Sequence, residues 1–274
     1  VPPVPTSVRS EVSAQRILEA LILGILESGS TVVLDGSFHE QIAPFVEHDT
    51  LAVKSPEELV RDICRPGHTR LLDFGCGPGA YRPMLEGFGY EWHGVNYREG
   101  MATGAAKAAE NSSDPRMTFY DGLKLPFPDQ HFDVVYSFQT FEHIQSIETT
   151  FSEIRRVLKP GGSLIGAVSC LEQIHDYSTF NFTPYGLKLA AQQAGMNLLK
   201  IYPRCDAFTF LLRRLLVVTS GSDDNSLSPA LVTDNAVGTG FVTFGKRLGL
   251  TPTDINLLRL MFSTQFVFQI SAGQ

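Results

Sequence analysis

The sequence predicts an α/β fold: a mostly parallel, seven-stranded sheet with helices on both faces. Three observations predict it. Short apolar runs alternate with helical patterns from residue 70 to about residue 203. A glycine-rich turn, "DFGCGPG" at 73–79, directly follows the first of those runs. A last apolar run, Gln265–Ile270, returns after a long segment that carries its own helix start. Apolar strands separated by helices form sheets buried on both faces, and ligands of such sheets sit past the carboxyl ends of the strands.

The elements follow in order. Residues 1–9 are Pro-rich and read as extended chain, and 10–28 read as a helix stopped by Ser28-Gly29. Residues 30–54 carry no pattern that assigns them. "SPEE" at 55–58 starts a helix, with Ser55 as cap, Pro56 at the first position and Glu58 closing a capping box; it ends near Cys64, before Arg65-Pro66-Gly67. Arg70–Phe74 is the first strand, and the helix after the glycine turn runs to about Phe88. Glu91–Val95, Met117–Tyr120 and Asp133–Phe138 are strands two to four, with an Ala-rich helix at 99–110 after strand two. Ser146 starts a helix to Leu158, and "KPGG" turns the chain into strand five, Ser163–Cys170. Thr183 caps a helix that Gly195 ends, and Asn197–Tyr202 is strand six. The segment 204–262 is too long for a bare loop, so helices are expected in it, one of them starting at "TPTD", 251–254.

Composition narrows the function. With 43% hydrophobic and 19% charged residues in 274, the chain has a globular composition. A net charge of −7 argues against a general nucleic-acid surface, so no nucleic-acid partner is expected. The four scattered cysteines have neither zinc spacing nor the density of a disulfide scaffold; no metal is expected, and a reducing, cytoplasmic setting is the simpler reading. No apolar run reaches the roughly 18–20 residues of a membrane span. The opening "VPPVPTSVR" has no signal layout and is read as a processed or trimmed end.

Gly75, Gly77 and Gly79 permit a tight turn and close backbone approach to a ligand. Gly75-x-Gly77-x-x-Ala80 also satisfies a dinucleotide fingerprint, so the glycines alone fit an NAD(P)-dependent oxidoreductase as well. Asp73 weighs against that alternative, because a carboxylate beside a pyrophosphate repels it and suits an ammonium or sulfonium instead.

At this point the sequence resembles the class I S-adenosylmethionine-dependent methyltransferases. "LLDFGCGPG" at 71–79, "YDGLKLPFPDQHFDVVYSFQTFEHI" at 120–144 and "FSEIRRVLKPGGSL" at 151–164 carry the resemblance, which covers about 65–203. It implies a Rossmann-like core at 65–203 with its last strand at 263–274; 1–64, read as an N-terminal helical extension or cap, and 204–262, read as a helical insertion or lid, are not covered by it. It also implies S-adenosylmethionine as cofactor. Asp73, Phe74, Gly75, Cys76, Gly77 and Gly79 would hold its amino-acid end, and Asn96 with Tyr97 the ribose. Asp121, Gly122 and Leu123 would hold the adenine, and Phe138 and Gln139 would lie near the methyl group. One departure stands out: Asn96 occupies a position that is usually Asp or Glu, and it motivates a third reading, a non-catalytic partner protein of this fold.

Methyl transfer is an in-line displacement that needs alignment and exclusion of water, and an oxygen acceptor also needs a base. His143 in "FEHI" and His175 in "EQIHDYSTF" are the candidate catalytic residues. Each equally suits a structural place: His143 at a helix entry or under the cofactor, His175 solvated in its loop. The acceptor is expected to be a small molecule, a sugar or a lipid-linked molecule, methylated on oxygen, with a sugar hydroxyl as the narrow reading. Phe180, Phe182, Tyr185 and Phe208 suggest an apolar acceptor pocket, though at least half are expected in the core. "FTFLLRRLLVV" at 208–218 fits a buried lid helix or a peripheral membrane contact.

Overall fold

The computed structural model describes residues 36–48, 54–65, 67, 69–97, 114–172, 178–211, 214 and 236–273. The helices expected at 10–28 and 99–110, and His175, lie outside the described residues.

Seven strands form one sheet: β1 (Arg70–Phe74), β2 (Glu91–Tyr97), β3 (Met117–Tyr120), β4 (Phe132–Phe138), β5 (Leu158–Ser169), β6 (Asn197–Pro203) and β7 (Gln265–Ser271). Their order is β3-β2-β1-β4-β5-β7-β6. The five strands from β3 to β5 are parallel, and β7 runs antiparallel between β5 and β6. Because β7 is reversed, its first residue lies at the carboxyl edge of the others: Gln265 is paired with Ser169, and Phe266 with Pro203. The turns after β1, β4, β5 and β6 and the entry to β7 therefore share one edge.

The "KPGG" turn lies inside β5 instead of before it. Phe132 pairs with Leu158, but the next pair on β4, Val134, is with Ser163. Lys159–Gly162 are accommodated as a bulge, with Gly161 at φ +73. A Cβ on Gly162 would lie 2.9 Å from the Lys159 carbonyl oxygen. Asp133 fixes this corner, accepting from Lys159 Nζ at 2.8 Å and from the backbone N–H of Arg70 at 3.0 Å.

Helices cover both faces. They are α1 (Gly36–Ile42), α2 (Pro56–Ile63), α3 (Arg82–Gly87), α4 (Ile147–Val157), α5 (Pro184–Gln193), α6 (Ala236–Arg247) and α7 (Pro252–Met261). Strand periodicity divides neighbours between the faces. Leu71 and Val134 join Leu59 and Val60 of α2 on one side. Leu72 and Val135 join Phe151 of α4, Leu187 of α5 and Leu257 of α7 on the other. Each such side chain contributes roughly 1.5–3 kcal/mol by leaving water. Tyr136 Oη adds a polar tie across the first layer, donating to Glu57 of α2 at 2.7 Å.

The helix starts follow the capping chemistry. Ser55 and Glu58 form the expected capping box, Thr183 accepts from the Gly186 N–H, and Thr251 with Asp254 forms a second box. Ser146 precedes α4 but makes no side-chain cap bond.

Candidate active site

The glycine turn is held from behind by β2. The N–H groups of Gly75 and Cys76 both donate to the Val95 carbonyl, at 2.8 and 3.4 Å. Gly75, Gly77 and Gly79 have φ of +76, +51 and +84, a region costly for residues with a Cβ. At Gly75 a Cβ would also run into the Thr140 side chain, which comes from the turn after β4.

Asn96 is buried at the end of β2 and grips the middle of the turn. Its Oδ1 accepts from the Gly77 N–H at 2.9 Å, and its Nδ2 donates to the Gly77 carbonyl at 3.0 Å. Asp73 is 2% exposed and accepts from Trp92 Nε1 at 3.1 Å. Burial pushes its carboxyl up to about 7, and the Trp92 hydrogen bond opposes that rise. Cys76 is buried, and desolvation pushes its thiol up as well. The Phe74 ring stacks on Phe141 in the core at 5.6 Å, so its side chain belongs to the packing beneath the turn.

The turn after β3 lies beside this cradle. Asp121 is exposed and accepts from the N–H groups of Leu123 and Lys124 at 2.8 and 2.9 Å. The Lys124 and Leu123 N–H groups hold its carboxyl below the usual range. Leu123 is 64% exposed. Gly122, at φ +80, leaves room for the Tyr97 ring, which a Cβ there would press upon.

After β4, the Phe138 ring lies 5.3 Å from the Tyr81 ring, with the Arg204 guanidinium 4.8 Å over it. Gln139 has φ +51. Its N–H donates to the Ala167 carbonyl, and its Oε1 accepts from Ser169 Oγ at 2.7 Å. Its Nε2 is buried without a hydrogen-bond partner among the described residues. His143 is half-buried in the 3-10 turn Phe141–His143, its N–H donating to the Thr140 carbonyl.

Five residues that sequence reasoning passed over extend the edge. Ser169 Oγ lies 3.2 Å from Glu142 Oε1 and 3.1 Å from Glu172 Oε2. Gln265 Nε2 and Arg214 Nη2 donate to Glu172 at 3.3 and 2.8 Å. No local pattern marks them: Glu142 stands in the mixed polar and apolar stretch "FQTFEHIQ", and Ser169 reaches it from β5.

Two cavities of about 480 Å³ each share Leu171. One is lined by Glu172, Ala207, Phe210, Leu211, Arg214 and Thr264, the other by Cys170, Phe182, Tyr185, Leu260, Met261 and Ser263 among others. Phe182 is itself core, packed edge-on to Phe180 at 4.9 Å, while Phe208 is 47% exposed. Among the described residues no cluster of His, Cys, Asp and Glu is arranged to hold a metal, and no helix is long and apolar enough to cross a membrane.

S-adenosylmethionine fits this edge. Three glycines with positive φ shape the turn, Asp73 is a buried acid beside it, and Gln139 keeps a buried amide N–H group without a partner among the described residues. The architecture is the Rossmann-like methyltransferase fold. The solved structure of a putative sarcosine dimethylglycine methyltransferase from Galdieria sulphuraria superposes with a TM-score of 0.51, covering 94% of this chain and 98% of that one at 15% identity.

Residues 72–166 match the family described as "Methyltransferase domain". Sterol 24-C-methyltransferase ERG6B of Gibberella zeae is 40% identical over 102 residues, 36% of this chain and 27% of that protein. A probable chloroplastic tocopherol O-methyltransferase of Oryza sativa subsp. japonica is 34% identical over 139 residues, 47% of this chain and 38% of that protein. The chain thus matches well under half the length of these relatives. Residues 72–166 carry a methyltransferase domain of that family.

Proposed function

We propose that this chain transfers a methyl group from S-adenosylmethionine to the hydroxyl oxygen of a small, largely apolar acceptor. The observation that carries the proposal is the cradle itself: Asp73 buried beside a glycine turn that Asn96 clamps at Gly77. When bound, the cofactor supplies an electrophilic methyl group on a sulfonium.

In this reading the turn and Asp73 take the amino-acid end, where an ammonium would stabilise the ionised carboxylate. Asn96 retains one lone pair on Oδ1 for a ribose hydroxyl, beside Tyr97. The turn at Asp121, Gly122 and exposed Leu123 takes the adenine, and Phe138 and Gln139 flank the methyl end. His143 is the described candidate for the base, with His175 as the second.

The names of the relatives, a sterol and a tocopherol methyltransferase, support an apolar acceptor, as do the two cavities at Leu171. The tocopherol O-methyltransferase match, the longer of the two, favours oxygen. The test is incubation with methyl-labelled cofactor and a panel of phenolic lipids, sterols, sugars and ethanolamine phosphate. Label on a phenol or alcohol oxygen supports the proposal. Label confined to carbon or nitrogen, or stabilisation by NAD(P) alone, contradicts it.

A further inference from the structure

The cavity between Leu171 and Leu211 ends in a polar pair whose chemistry selects its occupant. The Glu172 side chain is 4% exposed and that of Arg214 43%. They form an ion pair at 2.8 Å, and the Arg214 guanidinium lies 5.0 Å over the Phe210 ring. Glu172 further accepts from Gln265 Nε2 at 3.3 Å and lies 3.1 Å from Ser169 Oγ. The rest of the wall is apolar: Leu171, Ala207, Phe210 and Leu211, with Thr264.

We propose that this cavity is the acceptor subsite and that the Glu172–Arg214 pair selects a neutral, hydroxyl-bearing head on an apolar body, a lipid-like alcohol or phenol. The inference rests on the methyltransferase reading and narrows its acceptor. Charge decides the head group. The carboxylate is already neutralised by Arg214, so a second cation gains little there, and an anion approaching Arg214 meets Glu172 at once. A hydroxyl can donate to the carboxylate without disturbing that balance. The same carboxylate lies 3.1 Å from Ser169 Oγ, whose single proton goes to Gln139 Oε1 at 2.7 Å, so the pair sits beside the methyl-transfer edge.

The experiment is calorimetric titration of the full chain with p-octylphenol, octylbenzene, octylammonium and octyl phosphate, with S-adenosylmethionine titrated separately. Octylphenol is expected to bind at least about ten-fold more tightly than the other three, because octylbenzene leaves the polar pair without its hydrogen bond. Glu172→Gln is expected to reduce the preference over octylbenzene to about three-fold or less. Leu211→Trp, at a side chain 65% exposed, is expected to abolish binding of all four by filling the cavity, even if Glu172→Gln fails to fold. S-adenosylmethionine affinity should change by less than about two-fold in Leu211→Trp. Equal binding of phenol and benzene, preference for a charged head, or unchanged binding in Leu211→Trp overturns the inference. Absence of S-adenosylmethionine binding instead overturns the methyltransferase reading, so the two failures are distinct.

Discussion

Asn96 and Gly77 are joined by two hydrogen bonds that bracket one residue: the amide oxygen accepts the Gly77 N–H at 2.9 Å and the amide nitrogen donates to the Gly77 carbonyl at 3.0 Å. Backbone polarity is fixed, so this pair also fixes the orientation of the Asn96 amide. The asparagine that departs from the usual acid therefore has a job of its own, which is to hold the glycine turn in shape.

Asn96→Asp should accordingly weaken the protein. It places a carboxylate oxygen against the Gly77 carbonyl oxygen in a buried place. The expected cost is about 1–3 kcal/mol in chemical denaturation, with weaker S-adenosylmethionine binding. Tighter cofactor binding at undiminished stability would show that the amide is a mere substitute for the acid.

Asp73 gives a pH signature. Its folded carboxyl titrates near 7, above the ordinary 3.8, so the folded state binds the proton more tightly than the unfolded state. Its contribution to stability is then greatest below about pH 4, declines as pH rises towards 7, and is lost above it. Asp73→Asn removes this dependence. Without cofactor, the variant should gain on the wild type between pH 4 and 8, with a ceiling of about 4 kcal/mol. Parallel stability–pH curves for the two proteins would contradict the buried placement.

Gly75→Ala should destabilise by about 2–4 kcal/mol, combining positive φ with the collision at Thr140. Thr140→Gly in the same chain should restore part of that loss, measured as a coupling in a double-mutant cycle. Additive effects would mean that the two turns are not in contact.

Leu123→Ala tests the adenine side. The side chain is largely exposed, so melting temperature should stay within a degree or two, while S-adenosylmethionine binding weakens about three- to ten-fold. Unchanged affinity would remove Leu123 from the site.

Much of this molecule was legible in its sequence because local chemistry decided it. The runs at Arg70–Phe74, Met117–Tyr120 and Gln265–Ile270 became strands with ends moved by no more than one residue, and Ser55 and Thr251 capped the helices they precede. The glycine turn was legible because φ values of +76, +51 and +84 demand that residue. What escaped depends on partners distant in the chain. Trp92 meets Asp73 and Asn96 meets Gly77, each 19 residues apart, across strands whose pairing the local pattern does not specify. The reversal of β7 brings Gln265 to Glu172, 93 residues away, and only the path of the whole insertion determines it. "KPGG" read as a turn is a bulge because its flanking residues, Leu158 and Ser163, both pair with β4.

The most direct test of the account is calorimetric titration of the wild type and Asp73→Ala with S-adenosylmethionine, with NAD as the control. The account predicts one S-adenosylmethionine bound per wild-type chain, no heat from NAD, and at least about a hundred-fold loss of affinity in Asp73→Ala, the scale of one buried charge-assisted contact. NAD binding in place of S-adenosylmethionine, or undiminished affinity in Asp73→Ala, would contradict it.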